Sequence, residues 1–401
     1  MRNSFIGYRE ALELTLAQIS SLNSINIPLY DCVNLHSASD VNALVDSPSV
    51  DTSLKDGYAV RSKDIASASP ETPVKLEILD MAAAGVPSTA TVQTGTVIRV
   101  LTGAKIPQGA DAVVAEEFIK RENHYIFVTG QVEPSRNILK QGTDVGTGEV
   151  IVRSGDLLTP GRVGLLAAGG IAEVGVIPRP RVAIIATGDE IVLPGEPLPD
   201  GKLYASNLAA LNAWCRRFHM ETRLETVSDD EKRVSETLDR FTKENDAVLT
   251  SGGAWSGDRD LVARVLSELG WKKIYHRVRI GPGKAVGFGF LNETPVFILP
   301  GGPPSNLMAF IHLALPALCR LSGNDGTPLE SKAVQLKEPV HGRVKNWTQF
   351  IFGQIDENNL FAPLRWPSRL KSMAEAHGVI AIPEGLDHYP AGKKVTAMLL
   401  N

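Results

Sequence analysis

The sequence predicts a multidomain α/β plus β protein. It has a central parallel α/β sheet, a separate β domain, a small scaffold domain and a C-terminal β barrel. Three observations predict it. Between residues 181 and 300, short apolar runs alternate with amphipathic stretches of about a dozen residues, the pattern of strands joined by crossover helices. From Val74 to Ile151, and again from Ala333 to Leu400, short alternating runs are separated by turn residues, which reads as all-β. Pro178-Arg179-Pro180 marks the change of regime after the first β region, because two prolines two apart cannot continue a helix.

In chain order, Ala11, Leu12, Leu14, Leu16 and Ile19 recur at helical spacing and predict a helix over Tyr8 to Ile19. A weakly alternating passage follows to Ala43. Asp56-Gly57-Tyr58 is a loop entering a strand, and Val97–Leu101, Ala112–Val114 and Tyr125–Val128 are strands. Arg162 to Val174 reads as a helix interrupted by Gly169-Gly170. In the α/β stretch the strands are Val182–Ile185, Thr222–Val227, Ala247–Leu249 and Val296–Leu299. The helices are Asn207–Phe218, Asp230–Phe241, Asp260–Leu269 and Leu307–Leu321. The expected domains are 1–50 plus 145–178 (scaffold), 51–144 (β), 179–325 (α/β) and 326–401 (barrel).

Composition narrows the class. Hydrophobic residues make up 43% and charged residues 21% of 401, which suits a water-soluble globular chain. A net charge of −4 argues against a broad nucleic-acid surface. The most apolar segment, Val163 to Ile177, carries four glycines and Glu173, so no membrane span is expected. Cys32, Cys215 and Cys319 share no metal-ligand spacing and read as buried thiols of a reducing, cytoplasmic compartment. The eight histidines never pair at ligand spacing, and no Gly-x-Ser-x-Gly motif indicates a nucleophilic hydrolase.

Chemistry concentrates where strands end. Thr187-Gly188-Asp189-Glu190 and Thr250-Ser251-Gly252-Gly253 both follow strands of the α/β region, and ligands in such folds sit beyond those ends. Glycines admit a ligand to the backbone, hydroxyls donate, and the carboxylates after them, Asp258 and Asp260, suit a hard cation. Pro282-Gly283-Lys284 is a turn carrying one positive charge. Pro300 to Asn306 is a Pro/Gly loop ending in Ser305 at a helix start. It reads either as an anion seat built from unpaired N–H groups or as a plain Ser/Asn cap. Trp255 either stacks on an adenine or pterin or plugs a subunit contact.

The order of DGYA, TGDE after RPRVAII, YASN, TSGG with a trailing Asp, PGK and LPGGPPSN resembles that of the MoeA family of molybdopterin molybdenumtransferases, relatives of the gephyrin E domain. The likeness spans nearly the whole chain. It implies a molybdopterin-binding-like α/β domain and a cytoplasmic homodimer with its active site in a cleft shared between subunits. The implied reaction converts adenylylated molybdopterin and molybdate, with Mg2+, into molybdenum cofactor and AMP, without nucleic-acid or membrane partners. By motif position the resemblance assigns Asp56, Glu190, Asp260 and Asp144 to catalysis, the first three also holding metal with Asp229 or Asp230 as further candidates. It assigns substrate binding to Thr102, Ser251, Gly252, Gly253, Lys284, Pro300, Gly301, Pro303, Ser305 and Ser372.

Several positions depart from the pattern. Gly281 stands where a second lysine usually precedes PGK, Gly302 replaces an Asn and Ala285 a Pro, and GGVSVG has become GGAWSG. No arginine falls in register on an early strand of the last domain, although Arg343 is close. One missing cation weakens oxyanion binding by roughly 1–3 kcal/mol in a partly buried site. The alternative function is therefore a tungstate-specific or non-catalytic paralogue that binds a pterin or nucleotide, or serves as an interaction scaffold.

Overall fold

A computed structural model describes residues 5–252, 261–364 and 369–400. The chain divides into two compact units, Ile25–Val176 and Met1–Ser24 with Ile177–Asn401.

In the smaller unit a six-stranded sheet runs in the order Ala112–Ala115, Gly57–Val60, Thr96–Val100, Val74–Ala82, Tyr125–Val128, Ile119–Glu122. Alternate residues of these strands, among them Val60, Val97, Val114 and Ile126, bury one face. A separate core of Leu29, Cys32, Val152, Leu158 and Leu166 lies under the helix Pro160–Ala168. Thr159 caps that helix by accepting from the Arg162 N–H, and Pro160 fits its first turn, where an N–H has no helical partner anyway. The sequence predicts that this helix resumes after its glycines, but it ends there. Gly170 adopts a left-handed φ of 82°, and Glu173–Ile177 then forms a strand against Ile25–Pro28.

The larger unit is built on a six-stranded sheet. Its order is Glu221–Val227, Arg181–Thr187, Ala247–Ser251, Thr294–Leu299, Gly287–Leu291, Lys272–His276. The first four strands are parallel, as expected. The last two are antiparallel, so the sheet is mixed rather than parallel throughout. The turn responsible is Asn292-Glu293, with φ of 50° and 63° and Leu291 paired to Thr294. Two left-handed residues match the twist of a hairpin, but Asn-Glu lacks the glycine that usually advertises one.

Successive residues of the parallel strands face opposite sides, and both sides are covered. Ile184, Leu249 and Phe297 pack with Leu208, Leu211 and Phe310, while Ile185, Val248 and Ile298 pack with Val234, Leu238 and Val262. The last helical run starts four residues earlier than the sequence suggests, at Pro303, and passes through a π turn at Phe310–Ala314 before Leu315–Leu321. Pro316, which lacks an N–H, lies two residues after that turn, and a widened turn absorbs the loss. The N-terminal helix Tyr8–Gln18 contributes Ala11 to this unit's core.

Five strands of the C-terminal region close into a barrel: Thr348–Ile355, Leu360–Pro363, Ser331–Leu336, Lys394–Leu399 and Gly378–Ile382, the last pairing back to the first. Gly353 has no side chain because the buried ring of Phe361 occupies that space. All three cysteines are buried free thiols. Among the described residues, no helix is long and apolar enough to cross a membrane.

Phe297 is fully buried and stacked on Phe288 at 4.6 Å between ring centroids. Phe297→Ala is expected to lower the unfolding free energy of the larger unit by about 3–5 kcal/mol. Leu224→Ala, at a largely exposed side chain, stays within about 0.5 kcal/mol. Urea melts of both variants check this, and equal midpoints would remove Phe297 from the core argument.

Candidate functional site

Three loops leave the carboxyl ends of adjacent parallel strands, after Thr187, Ser251 and Leu299. The buried Ser251 hydroxyl ties them together. It accepts from Asn207 Nδ2 at 3.1 Å and from Asn306 Nδ2 at 3.0 Å. Each amide also donates to the third loop, Asn207 to the Gly301 carbonyl at 2.8 Å and Asn306 to the Pro300 carbonyl at 3.0 Å. The YASN, TSGG and LPGGPPSN motifs thus form one hydrogen-bonded unit. Gly252 has a φ of 103°, and a Cβ there collides with the Thr187 carbonyl oxygen. Its glycine is required by the backbone itself.

These loops floor a cleft of about 1040 Å³. Among the described residues, four charged side chains line it: Glu190, Arg277, Lys284 and Arg369. Three cations against one carboxylate suit an anionic ligand. A second cleft, of about 1110 Å³, shares Lys284, Gly302, Ser305 and Arg369 with the first and adds Arg343 and Ser372. Of the sequence-nominated substrate contacts, Ser251, Gly252, Pro300, Gly301, Pro303, Ser305 and Lys284 line the first cleft, and Ser372 the second. Lys284 reaches both because its turn is pressed against the helix start. Gly283, with a φ of 123°, leaves only 3.3 Å between a would-be Cβ and the Ser305 carbonyl oxygen.

The anion seat at that helix start is leaner than the sequence suggests. Helix residues one and two are Pro303 and Pro304, which have no N–H, and the Asn306 N–H is taken by the Gly302 carbonyl. That leaves the Ser305 N–H, without a hydrogen-bond partner among the described residues.

The acids separate into distinct environments. Glu190 is exposed at the cleft, and Asp189 beside it accepts from the Asp229 N–H at 3.1 Å. Partial burial, then the charges of Asp189 and Glu190, push the Asp229 carboxyl above its usual range. Asp230, nominated from sequence as a metal ligand, instead accepts from the Arg233 N–H at 2.8 Å and caps the helix Glu231–Glu244. Among the described residues no three of His, Cys, Asp and Glu are gathered as a metal ligand set. Mg2+ commonly takes one or two carboxylates and fills its shell with water and substrate phosphate, so Glu190 and its acidic neighbours fit that donor chemistry. Gly253, Trp255 and Asp260 lie outside the described residues.

In the smaller unit, Asp56 accepts from the Thr102 N–H at 2.7 Å and from its hydroxyl at 2.8 Å. Those two bonds hold its carboxyl below the usual range. The neighbouring Gly57 is explained by packing: a Cβ there runs into the Val114 carbonyl oxygen across the strand pair. Asp144 is exposed in the turn whose amides bond the Ser47 carbonyl.

Arg277 and Arg369 were not visible as cleft residues from sequence. Arg277 has a left-handed φ of 80°, which breaks the strand alternation by which its direction could be read.

Asn306→Ala is expected to cost about 1–3 kcal/mol, because it leaves the buried Ser251 and Pro300 oxygens short of a donor. Chemical denaturation measures it. Asp229 gives a pH signature. Its raised folded pKa means that the folded state holds the proton more tightly, so stability falls as pH rises through that window and the penalty is full above it. Asp229→Asn should therefore raise the melting temperature at pH 7.5, with the gain vanishing below about pH 4. Equal shifts at both pH values would refute the electrostatic cause.

The sequence matches the family described as the MoeA N-terminal region (domain I and II) over residues 6–170, and a probable molybdopterin binding domain over 183–320. It is 32% identical over 387 residues to molybdopterin molybdenumtransferase 2 of Mycobacterium tuberculosis, covering 92% of this chain and 94% of that protein. With the molybdopterin molybdenumtransferase of Staphylococcus aureus it shares 29% identity, covering 98% of this chain and 95% of the relative. Two crystal structures of the molybdopterin biosynthesis MoeA protein from Pyrococcus horikoshii superpose with TM-scores of 0.87 and 0.83. Each is 31% identical and covers 99% of this chain and 100% of the other. The chain therefore belongs to the MoeA family of molybdopterin molybdenumtransferases.

Proposed function

We propose that this chain inserts molybdate into adenylylated molybdopterin and releases AMP, as a cytoplasmic, homodimeric enzyme of molybdenum cofactor biosynthesis. The observation that carries the proposal is the cleft at the strand ends, cationic in balance among the described residues and floored by the Ser251-centred loops, in a chain of this family. A phosphoanhydride substrate needs positive charge and N–H donors for its phosphates. Lys284 and the Ser305 N–H supply them. Thr187, Gly252 and Gly301 present small surfaces over which a flat pterin can lie. Molybdate is assigned to the second cleft, which Ser372 and Arg343 line together with the shared Lys284.

Glu190, with Asp229 and Asp260, is the proposed carboxylate group that orients the attacking water and accepts its proton. Water adds to the phosphorus of the adenylyl group, the anhydride bond breaks, AMP leaves and the pterin keeps its own phosphate. When bound at these carboxylates, Mg2+ supplies neutralisation of the charge that develops on the phosphoryl oxygens. Asp56 and Asp144 are proposed as catalytic residues and Thr102 as a substrate-binding residue of the smaller unit.

Gly281 and Gly302, in place of Lys and Asn, favour a second reading, a non-catalytic or tungstate-specific paralogue that binds a pterin or nucleotide or acts as an interaction scaffold. Incubation of the purified chain with adenylylated molybdopterin, Mg2+ and molybdate separates the two: release of AMP is expected, and binding without release leaves only the second. Lys284→Ala is expected to lower kcat/KM about 10- to 100-fold, the loss of one charge-assisted contact. Wild-type kinetics in that variant would remove Lys284 from the site.

A further inference from the structure

The hairpin from His276 to Gly287 carries three cations, and the structure gives them different tasks. Arg279 is committed inside the protein: Nη2 donates to Glu384 Oε2 at 3.1 Å and Nη1 to the Phe5 carbonyl at 2.7 Å. Lys284 lies at the junction of the two clefts. Arg277 is half-buried, lines the first cleft only, and has no hydrogen bond, ion pair or ring contact to its guanidinium among the described residues. A partly desolvated guanidinium without a counter-charge is unfavourable until an anion meets it.

The backbone holds it there at a cost. A φ of 80° at a residue with a Cβ is disfavoured and persists only where the surroundings over-determine it. Here the Arg277 N–H donates to the Val286 carbonyl at 2.8 Å and its carbonyl accepts from the Ile6 N–H at 3.4 Å. His276, next in the chain, offers no compensating charge. Burial first, then the positive charges of Arg277 and Lys273, push its imidazole down to about 4, so it is neutral near pH 7. Glu190 is the one carboxylate among the described residues of this cleft, and it forms no ion pair with Arg277.

We infer that Arg277 is a phosphate-binding residue: its fork receives a phosphate of the adenylylated substrate in the first cleft. The inference rests on the proposed reaction for the identity of that substrate. Phosphate and molybdate are both tetrahedral oxyanions, and the geometry divides them. Arg343 and Ser372 line only the second cleft, Arg277 only the first, with Lys284 between. Two anions held at once need separate cations, and Arg277 supplies on this hairpin the positive charge absent at Gly281.

The test titrates AMP and, separately, molybdate into the full-length protein by calorimetry, comparing wild type with Arg277→Gly and Arg277→Lys. Glycine accepts a left-handed φ freely, so Arg277→Gly removes the charge without straining the hairpin, and its thermal melt should be no lower than wild type. AMP affinity is expected to fall about tenfold or more in Arg277→Gly and to recover largely in Arg277→Lys, while molybdate affinity changes less than about twofold. In turnover, KM for the adenylylated substrate should rise more than kcat falls. Unchanged AMP affinity in Arg277→Gly, a loss confined to molybdate, or no AMP binding by wild type would each overturn the assignment. Arg277-dependent AMP binding in a chain that releases no AMP keeps the subsite and removes the enzymatic reading. Turnover with an unchanged KM in Arg277→Gly does the reverse.

Discussion

A single serine hydroxyl at the end of the strand Ala247–Ser251 sets the geometry of everything above the sheet. Its oxygen takes an amide hydrogen from Asn207, at the start of one helix, and another from Asn306, at the start of another. A hydroxyl oxygen has two lone pairs, and here both are filled by neutral donors buried or half-buried with it. The same two amides hold the carbonyls of Pro300 and Gly301, so the Pro/Gly loop cannot shift without breaking several bonds together. Gly252 completes the constraint, because the chain passes too close to the Thr187 carbonyl for any side chain. Rigid loops at strand ends are what a site made mostly of backbone and small side chains requires.

Onto that frame the protein places unbalanced charge. Partial burial, then the charges of Asp189 and Glu190, raise the Asp229 carboxyl, and Arg277 is held in a strained conformation facing the cleft. Neither arrangement stabilises the free protein. In the proposed reaction both become favourable when a ligand brings its own charges, phosphates for the arginine and a cation for the acids. Asp230 and Arg279 show the contrast, since each is committed to a helix cap or an internal ion pair.

The family departures acquire a physical context. Gly302 occupies the cap position of a helix whose first two residues are prolines. A side chain there could reach at most the Ser305 N–H, so its loss removes less capping than an Asn at an ordinary helix start would. Gly281 lies on the strand segment that pairs with Thr348 and Gln349 at the barrel. Arg277, the inferred phosphate-binding residue, lies four residues upstream on the same hairpin.

The sequence by itself determined the alternation of strands and helices, because burial on both faces demands uninterrupted apolar runs such as Val182–Ile185 and Ala247–Leu249. It also determined the small residues at the strand ends, whose local chemistry is written in adjacent letters. It did not reveal the antiparallel edge of the sheet, since Asn292-Glu293 turns left-handed without a glycine to announce it. Nor did it reveal Arg277 as a cleft residue or Asp230 as a cap, because a side chain's direction and partner depend on groups far along the chain. Tertiary structure decided which of several similar charges are used up inside the fold and which are left facing the cleft, a sum over neighbours that no local pattern contains.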